Sequence, residues 1–85
     1  MVEPEQIKKA FGEVLREERL KAGLSQERLA LQCGIDRTFV SMLERGLRQP
    51  SLVTLFVVSK ELSLSPSELL DQVLADLVNR KALPP

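Results

Sequence analysis

Histidine, tryptophan and tyrosine are absent from the 85 residues, and cysteine occurs once, as Cys33. One thiol without histidine can build neither a disulfide within the chain nor a conventional zinc site. Acid–base or nucleophilic catalysis would have to come from scattered carboxylates and that thiol. No catalytic residue, metal or cofactor is therefore expected. Cys33, near the end of a predicted helix, reads as a small, partly buried side chain, with a redox sensor as the rival reading. No apolar run approaches the roughly 18 residues of a membrane span, and the N-terminus lacks the layout of a secretory signal. A reducing cytoplasm is the expected compartment. Alternating strand patterns, internal repeats and low-complexity stretches are missing as well.

Net charge is also lacking, with 12 basic against 12 acidic side chains. A zero balance does not suggest a nucleic-acid partner, which usually selects a basic domain. The charge is unevenly placed, however. From Ile7 to Lys60 there are 10 Lys and Arg against 6 Asp and Glu, while the two ends hold 2 against 6. The middle is a plausible phosphate-facing surface and the ends are a poor one. The length predicts one domain over residues 1–85. With 44% hydrophobic residues it can bury a core, although so short a chain often gains stability by pairing.

What is present is a run of helix signals. The first helix is expected from about Glu5 to Ala22, with Pro4 allowed in its first turn and Gly23 as its stop. Ile7, Phe11, Val14 and Leu15 form its apolar stripe. The stretch from Ser25 to Gly46 reads as two short helices, about 26–33 and 37–45, joined by a tight turn. Ser25 and Asp36 can cap them, because a side-chain oxygen can take an amide of the first turn. Leu24 with Leu29, and Ile35 with Val40, staple the two starts. Gly34 sits where the chain must leave the first of these helices left-handed. Leu29, Ala30, Ile35, Val40 and Leu43 have the spacing of buried positions. A fourth helix is expected from the Ser51 cap to about Leu62. A fifth runs to about Asn79 from a Ser65 cap, with Pro66 at its first position and Glu68 closing a capping box. Residues 80–85 are expected to fray. The fold class is all-α, with five helices.

Several of these residues recur together in one known pattern: Gly23-Leu24-Ser25-Gln26, Leu29-Ala30, Gly34-Ile35, Ser41, Glu44-Arg45-Gly46 and Pro50-Ser51-Leu52. Leu15-Arg16 and Arg19 extend it upstream, and Leu62 and Ser65 to Leu70 extend it downstream. The pattern resembles the helix-turn-helix of the phage repressor and Cro family, also called the Xre family, over about residues 7–70. Asp36 to Ser41 also looks like the recognition helix of restriction–modification controller proteins, a small dimeric branch of that family.

The resemblance implies a sequence-specific DNA-binding transcription regulator, with its second and third helices as the helix-turn-helix. The third helix would enter the major groove and bring its N-terminal side chains to base edges. Arg37, whose fork of donors matches two guanine acceptors, is first in line. Thr38 can hydrogen-bond a base or touch a thymine methyl, and Ser41 lies one turn along. Met42 meets a base edge or packs, and Phe39 faces DNA or packs. Ser25 and Gln26, at the start of the second helix, would contact the DNA backbone. Arg45, the Gly46 amide and Arg48 would hold further phosphates. Arg16 and Arg28 either join them or are solvated. In the family an arginine at the place of Arg19 pairs with the glutamate that here is Glu44.

The fourth helix departs from the family. Leu52 to Val58 is apolar almost all round, with valine at 53 and 57 where relatives usually carry a polar residue. A helix apolar on all faces has to be covered on all faces. Val53, Phe56, Val57, Val73, Leu74 and Leu77 are therefore expected to form a two-fold homodimer interface, unless a tightly covered single core takes them all. Pairing would set two recognition helices about 34 Å apart, one turn of DNA, on a palindromic operator. Ser63 stands where relatives usually have glycine. The expected partners are double-stranded DNA and a second copy, with no membrane and no small-molecule ligand. The alternative is an antitoxin-like or partner-binding module.

Overall fold

The computed structural model describes residues 2–85. Five helices follow one another: α1 (Pro4–Lys21), α2 (Gln26–Cys33), α3 (Arg37–Glu44), α4 (Leu52–Glu61) and α5 (Pro66–Asn79). Among the described residues there is no strand. The bounds agree with the sequence expectation to within a residue or so at each end.

Three helices start as their serines dictate. Ser25, Ser51 and Ser65 are extended, and each side chain accepts from the third amide of its helix, that of Arg28, Thr54 or Glu68. At α5 the Glu68 carboxylate reaches back to the Ser65 N–H at 2.8 Å and completes the capping box. Asp36 is a correction. Its side chain makes no cap hydrogen bond and stays exposed in solvent; its carbonyl alone closes the start of α3, accepting from Phe39 and Val40.

All five helices end in the same way. A residue with positive φ follows the last turn, and the next amide reaches back to a carbonyl five residues upstream. These are the Leu24, Ile35, Leu47, Leu64 and Ala82 amides, bonded to Arg19, Ala30, Met42, Ser59 and Leu77. This closure satisfies carbonyls that a helix end otherwise leaves free. The left-handed residue is glycine after α1, α2 and α3, but Ser63 after α4 and Lys81 after α5. The last closure also revises the expected fray, since Ala82 and Leu83 pack against the core and Arg80 bridges Asp76 and Glu13.

The core is one cluster fed by every helix. α1 packs on α5 and α3, α2 on α3 and α4, and α4 on α5. Phe11, Val14 and Leu15 meet Leu29, Val40, Leu43, Leu55, Val58, Leu69, Val73 and Leu77 there. Ile7, expected to be buried, is 41% exposed. It stands in the first turns of α1 and lines a surface groove of about 230 Å³ together with Phe11, Pro50, Leu52, Leu55, Leu70 and Val73. Val73 and Leu77 correct the expected pairing surface. At 6% and 5% exposure they fill this chain's own core and have no area left to offer a second copy.

Candidate nucleic-acid interface

The turn between α2 and α3 rests on Gly34, at φ 68° and ψ 31°. That left-handed geometry resists a Cβ, and it lets the Ile35 amide return to the Ala30 carbonyl at 3.0 Å. The chain then re-enters a helix at once. Val40 and Leu43 point the inner row of α3 into the core with no exposed surface. Arg37 and Thr38 are exposed at the opening of α3, and Ser41 and Met42 are half-buried one turn on. Phe39 is half-buried against the core cluster.

The far end of α3 is gripped. Arg19 Nε donates to Glu44 Oε2 at 2.6 Å and Arg19 Nη2 to Glu44 Oε1 at 3.0 Å, a two-pronged pair with both side chains nearly out of solvent. Hydrogen bonding to Glu44 raises the Arg19 guanidinium further above its ordinary pKa, against the opposing effect of burial. The third prong, Nη1, donates to the Leu24 carbonyl at 2.9 Å, just ahead of the α2 cap. Gln26 joins the same carboxylate, Nε2 to Glu44 Oε1 at 3.0 Å. One arginine of α1 thus ties the start of α2 to the end of α3.

Beyond α3, Arg45 and Arg48 are exposed, and among the described residues neither they nor Arg37 lies in a salt bridge. The Gly46 amide is a correction. It already donates to the Leu43 carbonyl at 3.1 Å in the helix-end closure, which removes it from the free donors. The Ser25 oxygen likewise serves the cap of α2, accepting at 3.0 Å, which leaves its hydroxyl hydrogen as the donor for any further contact. The Cys33 thiol is pushed up to about 11, mainly by burial and secondarily by the Glu61 carboxylate. At neutral pH it is a thiol, and thiols are poor nucleophiles.

Two residues that sequence reasoning passed over help build this surface. Gly12 lies in the middle of α1, where a Cβ would run into the Leu43 carbonyl and stand 2.6 Å from the Glu44 carbonyl oxygen. The missing side chain lets α1 touch the end of α3, and a glycine inside an otherwise good helix is a readable sign of such an approach. Lys9, exposed on the same helix, lies against Gly46 beside Arg45. Nothing in the sequence links positions 37 residues apart.

The helix-turn-helix family profile matches residues 15–69. The chain belongs to the Xre-like helix-turn-helix family. Among its relatives is the control protein C.BamHI of Bacillus amyloliquefaciens, 44% identical over 66 residues, which make up 76% of this chain and 82% of that protein. The crystal structure of the restriction–modification controller protein C.AhdI from Aeromonas hydrophila is 45% identical, with a TM-score of 0.71 over 73% of this chain and 94% of that one. A point mutant of C.Esp1396I, solved bound to its highest-affinity operator site, is 28% identical with a TM-score of 0.77 over 85% of this chain and 95% of that one. The chain is a DNA-binding transcription regulator whose helix-turn-helix is α2 and α3.

Proposed function

We propose that this helix-turn-helix regulator binds a palindromic operator as a homodimer, placing α3 in the major groove and controlling transcription by occlusion. The observation that carries the reading is the two-sidedness of α3. Its inner row, Val40 and Leu43, is wholly buried, its end is pinned by Arg19 and Glu44, and Arg37 and Thr38 stand free at its opening. A reading helix needs a rigid back and an unoccupied front. Arg37, Thr38 and Ser41 read bases, with Met42 at the edge of the row. Ser25, Gln26, Arg45 and Arg48 hold the DNA backbone, and Lys9 adds a charge beside them.

The homodimer is supported by the outward faces of α4 and α5. Val53 is 73% and Phe56 56% exposed, and Leu52, Leu70 and Leu74 are open as well, with Val57 half-buried between them. So contiguous an apolar face is uncommon on a lone soluble subunit. The similarity to control proteins supports the same arrangement. No described helix is long and apolar enough to cross a membrane, which fits work on the bacterial or phage nucleoid in the cytoplasm.

Selection of bound sites from random DNA tests the reading. The expected product is an inverted repeat with half-sites about one helical turn apart. Arg37→Ala should cost about 1–3 kcal/mol on the selected site and relax preference at one position. Arg45→Ala should weaken selected and random DNA alike and lower the salt slope by about 0.9. Unchanged affinity and preference in Arg37→Ala would overturn the assignment of α3 as the reading helix.

A further inference from the structure

We infer that Glu44 is a positioning residue for DNA, holding the Gln26 side-chain amide so that one of its N–H bonds stays free for a phosphate; this rests on the reading of Gln26 as a backbone contact. A carboxylate clasped by an arginine only accepts hydrogen bonds. The Gln26 atom that meets it at 3.0 Å must therefore be the nitrogen, and the amide cannot flip without losing that bond. The nitrogen carries two hydrogens, and Glu44 takes one. The second has no protein acceptor among the described residues, and Gln26 is half-buried rather than covered. It stands at the first position of α2, directly after the Ser25 cap, where the first two amides of the helix also lack partners among the described residues.

Two further features make the arrangement work. A carboxylate near a phosphate would repel it, and the two prongs of Arg19 offset that charge. A surface glutamine also loses rotamer freedom when it meets a ligand. Here that loss has already occurred in the folded chain, which favours the contact. Because Glu44 ends α3, the same bond fixes the backbone-facing start of α2 relative to the base-facing row of α3.

The test is a double-mutant cycle on operator affinity. The reference is wild type, and the second background is Arg19→Met with Glu44→Met, since replacing both members of a buried ion pair by apolar side chains of similar size usually preserves folding. In wild type, Gln26→Ala should lower affinity about tenfold. The salt slope should not change, because a neutral donor releases no counterion. In the paired-methionine background the same substitution should change affinity by less than about twofold. An equal factor in both backgrounds would overturn the role of Glu44. No effect of Gln26→Ala in wild type would instead overturn the backbone contact itself, and with it the inference. A readout on the unaltered protein stands beside the cycle. By NMR one Gln26 amide hydrogen should be protected from solvent before DNA is added, and the other should shift on addition. Loss of the protected hydrogen in the complex would also sink the proposal.

Discussion

Ser63 shows how a single residue can keep a backbone geometry it does not suit. Relatives usually have glycine there, and the serine nevertheless sits at φ 60° with the helix-end closure intact. A side chain in that region costs about 1 kcal/mol relative to glycine. Ser63→Gly should therefore raise stability by about that amount, seen as a rise in Tm of about 4–8 °C for a chain of this size. The geometry at Ser63 was legible only through the resemblance, which puts glycine at that place between α4 and the Ser65 cap. Other single residues were not legible. Asp36 has the chemistry of a cap and does not use it, and the Gly46 amide, a candidate phosphate donor by sequence, is engaged by the closure of α3. Local sequence says which groups can bond. The choice between solvent and protein is made by geometry that only the folded chain supplies.

Among the elements, α1 comes close enough to the end of α3 to touch its backbone, and Gly12 is the reason it can. Gly12→Ala would press a methyl group into backbone carbonyls of α3, which cannot turn aside as a side chain would. The expected cost is about 3 kcal/mol in urea unfolding, with weaker operator binding because the end carrying Glu44 is pushed outward. The partner of this contact, the Arg19–Glu44 pair, was expected from family resemblance rather than from spacing, as 25 residues separate the two. Helix starts, ends and inner faces were readable from caps, glycines and apolar periodicity. Which apolar residues face another helix was less so. On α5 the sequence shows more than one apolar row, and only packing tells that Val73 and Leu77 face inward while Leu70 and Leu74 face out.

At the scale of the whole molecule, the proposed pairing rests on the uncovered faces of α4 and α5. The groove beside Ile7, Leu52 and Leu70 and the ridge of Val53 and Phe56 lie on the same two helices or next to them. Phe56→Glu should leave the helical content and Tm of the subunit nearly unchanged, because that ring is mostly outside the core. Sedimentation should then report a monomer at concentrations where wild type pairs, and operator affinity should fall at least tenfold through loss of the second half-site. A Phe56→Glu protein that still sediments as a dimer would move the interface elsewhere.

The segregation of charge has one more consequence. A molecule with equal numbers of positive and negative groups feels little pull toward a distant polyanion, yet its field is far from uniform. Arg37, Arg45 and Arg48 surround α3, whereas Glu68, Asp71 and Asp76 lie on α5, which packs on α1 and α4. On the proposed reading of α3, a duplex would exert on such a molecule a torque more than an attraction, turning α3 toward it before contact, and added ions should weaken that guidance.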